Sequence, residues 1–142
     1  MQIIPVSAAI ITKAEKGGSV LVGRRRQGLS DSGKWEFPGG KILPGEDPGE
    51  TVRREIEEEF GIQLLLGRLY DVVNYIYSEK NVLILFYLAE ISSYDISSTV
   101  LAKDHDGLLW AGPEELLKLD FLGADRVVVE RLSEDMKMGR VP

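Results

Sequence analysis

Seven charged side chains crowd one short stretch of this chain. Between Pro48 and Phe60 the sequence PGETVRREIEEEF carries five glutamates and two arginines. Glu55 and Glu59 are four residues apart, so on a helix they are surface neighbours, and each like-charge pair of that kind costs roughly 0.2–0.5 kcal/mol. A bound divalent cation relieves the repulsion most simply. Steps of about 100° per residue place Val52, Ile56 and Phe60 in one apolar arc. Glu55 and Glu59 flank that arc with Glu58 beyond them, so three carboxylates can converge on a point beside the core. Arg54 and Glu58, also four apart, can pair and orient one carboxylate. These are hard oxygen donors, which selects magnesium or manganese over zinc. The Pro38-Gly39-Gly40 segment reads as a turn whose backbone carbonyl can add a ligand. Metal and carboxylates together suit the hydrolysis of a phosphoanhydride, because the ion neutralises phosphate oxygens and strengthens a water nucleophile.

Several elements must hold this stretch. The helix has a full start signal, with Asp47 as N-cap, Pro48 at the first position and Glu50 three residues after the cap. Gly61 marks its stop. Ile3–Thr12 and Ser19–Arg24 read as strands joined at a Lys16-Gly17-Gly18 turn. Gln27–Lys34 reads as a loop, and Trp35-Glu36-Phe37 as a short strand. Leu66–Tyr77 and Val82–Glu90 read as long strands around a Ser78–Asn81 turn. The second is apolar on both faces, the pattern of a strand covered on both sides. Ile91–Gly107 reads as a polar loop, Leu108-Leu109-Trp110 as a last strand, Pro113–Leu119 and Ala124–Met138 as helices, and Gly139–Pro142 as a frayed tail. The order of elements predicts a single α/β domain spanning residues 1–142, with a mixed sheet between helices.

Composition narrows the function. The 142 residues include no cysteine, which excludes thiolate metal sites and cysteine nucleophiles and fits a reducing cytoplasm. A formal net charge of −6 argues against binding a nucleic-acid polymer. The N-terminus lacks the basic region of a signal peptide, and no apolar run is long enough for a membrane span.

The segment Gly40–Ile62 resembles the Nudix box, Gly-x5-Glu-x7-Arg-Glu-aliphatic-x-Glu-Glu-x-Gly-aliphatic. It matches at Gly40, Glu46, Arg54, Glu55, Ile56, Glu58, Glu59, Gly61 and Ile62. The preceding Lys34–Lys41, KWEFPGGK, is similar to the MutT branch. The resemblance implies the Nudix α/β/α sandwich and hydrolysis of nucleoside triphosphates, of the oxidised dGTP or CTP and dCTP type, to monophosphate and pyrophosphate. The implied cofactor is Mg2+, with Mn2+ as a substitute, and the implied ligands are Glu55, Glu58, Glu59 and the Gly40 carbonyl. Arg54 would orient the glutamates, while Glu46 and Gly61 would support loop and helix. Asp104 would assist the attacking water, Arg25 would contact phosphate and Phe37 would line the nucleotide pocket. Where the MutT pattern has an asparagine that reads the base, this chain has Asp125, as cytidine-directed relatives do. The resemblance implies a small nucleotide as partner and a monomer or homodimer acting in the cytoplasm.

Each residue also has a plainer reading. Glu46 and Gly61 serve equally well as structural caps, Arg24–Arg26 as surface charge, Phe37 as core, Asp104 as a solvated loop acid and Asp125 as a helix-dipole residue. His105, the single histidine, lacks a partner for a metal site. Other Nudix substrates, ADP-ribose or dinucleoside polyphosphates, and a non-catalytic nucleotide-binding role are the alternatives. The absence of a proline shortly after the box counts against ADP-ribose, and the retained glutamates count against a non-catalytic module.

Overall fold

The computed structural model describes residues 1–13, 18–91 and 104–141. The strands are β1 (Ile3–Lys13), β2 (Val20–Arg25), β3 (Trp35–Glu36), β4 (Gly39–Lys41), β5 (Leu65–Tyr77), β6 (Lys80–Ile91) and β7 (His105–Ala111). They form one mixed sheet in the order β3-β2-β1-β6-β5, with β4 added to β1 and β7 to β2. Helices α1 (Pro48–Phe60), α2 (Pro113–Lys118) and α3 (Gly123–Lys137) cover it.

The centre is β1. One edge runs parallel to β6 from Ile3 opposite Asn81 to Lys13 opposite Ile91. The other edge forks, pairing antiparallel with β4 at Val6–Ala8 and with β2 at Thr12. Alternation along β1 divides the core in two. Ala8 and Ile10 join Phe86, Phe121, Val128 and Leu132 beneath α3, whereas Ala9 and Ile11 join Val52, Ile56, Phe60 and Ala89 beneath α1. The result is the expected sheet between helical layers.

Helix α1 forms for the reasons written in its sequence. Asp47 accepts hydrogen bonds from the Gly49 and Glu50 amides at 3.0 and 3.4 Å. Gly61 closes the helix in the left-handed region at φ 66°, its amide donating to the Glu57 carbonyl. Val52, Ile56 and Phe60 are fully buried, and each such side chain contributes about 1.5–3 kcal/mol by leaving water. Glu50 does not complete a reciprocal capping box, since its carboxylate turns to Arg53 at 2.8 Å.

Five sequence readings change. The Pro38-Gly39-Gly40 turn is in part a strand, because Gly39–Lys41 find hydrogen-bonding partners along the fork of β1. The Ser78–Asn81 turn is shorter than expected, because Lys80 and Asn81 pair with Tyr77 and Ile76. β6 is fully buried on the α3 side from Ile84 to Leu88; on the other face Leu83, Leu85 and Tyr87 are half-buried, since the α1-side core takes in only the Tyr87–Ile91 end. The last strand begins at His105, inside the expected loop, because β2 is long enough to pair Arg25 with it. The tail is held rather than frayed: the Arg140 amide donates to the Asp135 carbonyl at 2.8 Å and Val141 packs on the core. Ala14–Gly17, residues 92–103 and Pro142 carry the rest of the expected turn, loop and tail and lie outside the described residues. Among the described residues, no helix is long and apolar enough to cross a membrane.

Candidate active site

Arg54 is the hub of the charged helix. Its Nε and Nη2 donate to the two oxygens of Glu46 at 2.8 and 3.1 Å. Its Nη1 donates to Glu55 at 3.0 Å and makes longer contacts with Glu58 at 3.4 Å. Glu46 in turn accepts from the Thr51 hydroxyl at 2.7 Å and the Leu43 amide at 3.1 Å, which ties the loop before α1 to the helix. Chiefly the Arg54 hydrogen bond, with help from Thr51, holds the Glu46 carboxyl down at about 2. One guanidinium thus contacts three carboxylates and answers part of the helix's negative charge, while the repulsion between Glu55 and Glu59 inferred from the sequence persists.

The three expected ligand glutamates occupy different environments. Glu58 is half-exposed on the outer surface. Glu55 lies against the backbone of β4, so close that a Cβ on Gly40 would fall under 3.0 Å from its carboxylate. Burial raises its pKa, while Arg54 works against that rise. Glu59 turns inward and is only 4% exposed. Burial, augmented by the nearby charges of Asp104, Glu36 and Glu55 and opposed by His105, pushes its pKa up to about 7. Its Oε2 is buried with no hydrogen-bond partner. Leaving a buried acceptor in that condition costs on the order of 1–3 kcal/mol. Among the described residues no three acidic or histidine side chains close into a finished cation cage; Arg54 stands between Glu55 and Glu58. The expected convergence on one point is therefore not present in this arrangement.

Behind Glu59 lies His105, which the sequence offered no reason to place there. Its side chain is 1% exposed. Nε2 is 2.8 Å from Glu36 and Nδ1 is 3.7 Å from Glu59. Burial disfavours the imidazolium, but the Glu36 hydrogen bond and the Glu59 charge outweigh it, so the His105 pKa is raised. Glu36 also accepts from Arg25 at 3.2 Å, and the Arg25 Nε donates to the Ser30 carbonyl at 2.8 Å.

Arg25, Glu36, Phe37, Gly40, Asp104 and Asp125 line one cleft of about 520 Å3, together with Tyr77 and Leu122. The lining follows from the topology. The Trp35 amide donates to Asp120 and the Leu122 amide to Trp35, so β3 is clamped to the turn that starts α3. That clamp brings Asp125 under Phe37, whose amide donates to Asp125 Oδ2 at 3.2 Å. Asp125 is 4% exposed; burial, reinforced by the Glu36 charge, raises its pKa well above the ordinary value. Phe37 stacks on Phe121 at 5.5 Å and meets Phe86 edge-on at 6.0 Å, so it belongs to the core as well as to the cleft wall. The Tyr77 hydroxyl accepts from the Ala124 amide at 3.1 Å. A second concavity of about 610 Å3 runs along the outer flank of α1, lined by Glu50, Arg53, Glu57 and Glu58. Those side chains are largely solvated, and the cleft with buried polar groups is the better candidate.

The structure therefore gathers Arg25, Phe37, Gly40, Asp104 and Asp125 around the cleft, with Glu55 against Gly40 at its edge. Gly61 is a helix cap. Glu36 and His105 are additions that the sequence reading missed. Glu36 interrupts an aromatic strand, Trp-Glu-Phe, and a lone acid between two apolar residues was the available signal. For His105 there was no such signal: alternation carried back from Trp110 puts it on the opposite face, and the irregular pairing at Arg24 and Arg25 turns it toward Glu59.

The donor set fits a divalent cation. It is all oxygen, it includes an orphaned buried carboxylate oxygen on Glu59, and the absent side chain at Gly40 leaves room for the Glu55 carboxylate.

Comparison with known proteins agrees with this architecture. A family model described as the NUDIX domain matches residues 4–132. The chain is 33% identical to the CTP pyrophosphohydrolase of Escherichia coli over 132 residues, covering 92% of this chain and 91% of the relative. It is 38% identical to the 8-oxo-dGTP diphosphatase of Haemophilus influenzae over 87 residues, 61% of this chain and 62% of that one. The crystal structure of the MutT protein from Methanosarcina mazei Go1 superposes with a TM-score of 0.79 at 29% identity, covering 95% of this chain and 96% of that chain. With its sheet between helices, its glutamate helix and these likenesses, the chain belongs to the Nudix family and is a hydrolase of phosphoanhydride bonds.

Proposed function

We propose that this enzyme hydrolyses nucleoside triphosphates to the monophosphate and pyrophosphate, with a cytidine nucleotide as its preferred substrate and Mg2+, or Mn2+ in its place, as cofactor. The observation that carries the base preference is the buried Asp125 in the wall of the cleft. One of its oxygens is engaged by the Phe37 amide. In its ionised form the remaining oxygen accepts a hydrogen bond from an exocyclic amine such as that of cytosine, which a bare ring carbonyl cannot donate; burial favours the protonated form in the free protein, and an amine donor at that oxygen favours the charged one. Likeness to the E. coli CTP pyrophosphohydrolase over nine-tenths of the chain supports the same reading.

In this reading Glu55, Glu58, Glu59 and the Gly40 carbonyl hold the cation. When bound, the cation neutralises phosphate oxygens and makes a water a stronger nucleophile. Arg54 yields Glu55 and Glu58 on loading and stays anchored by Glu46, whose two oxygens it already engages. Arg25 meets phosphate charge from the cleft wall. Asp104, whose charge is felt by both Glu55 and Glu59, accepts the proton of the attacking water. Phe37 fixes the height of the base above Asp125.

A nucleotide panel tests this. CTP, dCTP, methylated dCTP, 8-oxo-dGTP, ADP-ribose and a dinucleoside polyphosphate are incubated with Mg2+, and products are separated by chromatography. Cytidine triphosphates turn over fastest, giving monophosphate and pyrophosphate. No turnover of any triphosphate refutes the reaction, and faster turnover of 8-oxo-dGTP refutes the cytidine preference.

A further inference from the structure

We propose that His105 is a positioning residue, a buried bridge that sets Glu59 on one side and, through Glu36, Arg25 on the other. Three observations carry this. The imidazole spans two acids from different layers: Nδ1 faces Glu59 of α1 at 3.7 Å and Nε2 faces Glu36 of β3 at 2.8 Å. Polar capacity is left over on both sides of the longer gap: His105 Nδ1, which faces Glu59 Oε1, and the other carboxylate oxygen, Glu59 Oε2, are buried without hydrogen-bond partners. The ring also sits in a place made for it. Gly23 lies under the imidazole, and a Cβ there would be 2.6 Å from both Cγ and Cδ2. The pairing of β2 with β7 slips between Arg24 and Arg25, beside His105, and irregularities of that kind re-aim side chains next to active sites.

The chain Arg25–Glu36–His105–Glu59 therefore joins the cleft wall to the inner carboxylate of α1 through contacts of 3.2, 2.8 and 3.7 Å. Neither end can move without disturbing the ring. His105 does not line the cleft and is not a catalytic residue; it acts by fixing the two groups that are.

This inference rests on the proposed role of Glu59 as a cation ligand, and the experiment separates the two. Mn2+ affinity is measured by electron paramagnetic resonance on the protein without nucleotide, and KM and kcat are measured separately. His105→Asn keeps an amide nitrogen near the Nδ1 position and loses the Glu36 contact. His105→Gln reaches the Nε2 position and loses the Glu59 side. H105N should retain Mn2+ affinity while KM rises about 10–100-fold, and H105Q should retain KM while Mn2+ binding weakens by about 10–100-fold, the range for loss of an outer partner of a metal site. Gly23→Ala, whose new methyl would meet the imidazole first, should produce both defects at once with the histidine still present. If Glu59→Gln leaves Mn2+ affinity unchanged, the ligand assignment fails. If E59Q weakens Mn2+ binding but H105N and H105Q do not split, or lose only thermal stability, the bridge is overturned. Should either His105 variant fail to fold, G23A decides alone: wild-type KM and Mn2+ affinity in that variant overturn the bridge.

Discussion

Replacing Gly40 by alanine is a sharp perturbation because its two effects separate. The backbone at Gly40 is not in the left-handed region, so alanine brings no conformational penalty there. Its new methyl would lie 2.7 Å from Glu55 Oε2 and closer still to the other two carboxylate atoms, against 3.4 Å for ordinary contact. The carboxylate must retreat by about 1 Å, and a misplacement of that size can cost about 100-fold in rate. That corresponds to about 2.7 kcal/mol of lost transition-state stabilisation. The obstacle is the far end of a flexible side chain, so folding should cost less than about 1 kcal/mol, within the range of surface changes and small adjustments. Gly39→Ala is the control. Its methyl would run into the Ser7 carbonyl and sit 2.7 Å from the Ala8 Cα, backbone that cannot yield, so overpacking should cost about 1–3 kcal/mol or more. Steady-state turnover of CTP and thermal melts read both. Gly40→Ala with kcat/KM within twofold of wild type, or with a melt as damaged as that of Gly39→Ala, refutes the reasoning.

Four further outcomes are expected. Glu58→Gln should lower kcat by at least about 100-fold, more than the loss of an outer partner would, with an unchanged melt because the side chain is half-exposed; wild-type activity removes Glu58 from the ligand set. Glu46 is depressed to about 2 from 4.5, so its contribution is present above pH 4.5 and lost as pH falls toward 2. Melting temperatures of wild type and Glu46→Gln should converge across that window, and a constant gap contradicts the pairing. Asp125 is shifted the other way: the native carboxyl keeps a proton that the unfolded chain releases above its ordinary value of 3.8. Wild-type stability should therefore decline as pH rises above that value while Asp125→Asn stays level, and parallel melting profiles would show that the carboxyl ionises normally. Chelation of divalent ions should stop turnover and added Mg2+ or Mn2+ should restore it; activity that persists in excess chelator rules out the cofactor assignment.

The sequence carried the local parts of this molecule well and its long-range parts poorly. Helix α1 was legible from end to end because caps, stripe and stop are all short-range signals, fixed by Asp47, Pro48, Val52, Ile56, Phe60 and Gly61. The forked pairing of β1 was not, since nothing in Gly39–Lys41 announces a partner more than thirty residues earlier. Glu46 showed its box spacing but not its grip on Arg54, which depends on how the loop folds back. The same limit hid the environment of Glu59. Its spacing placed it on a flank of the helix, whereas the imidazole that faces it comes from a strand 46 residues away. Asp125 was visible as a departure from a pattern, yet its burial under Phe37 required the clamp between Trp35 and the Asp120–Leu122 turn.

Sharing one guanidinium among Glu46, Glu55 and Glu58 has a consequence for how the enzyme comes into being. These outer carboxylates are paired before any ion arrives, leaving the buried Glu59 unanswered, so the nascent chain can reach its native shape without a cation, unlike small domains that fold only around their metal. Maturation then divides into two independent events, folding and loading. A cell short of divalent ions would accumulate an idle but intact enzyme, protected from proteolysis. Its return to work would be set by ion binding rather than by synthesis or refolding.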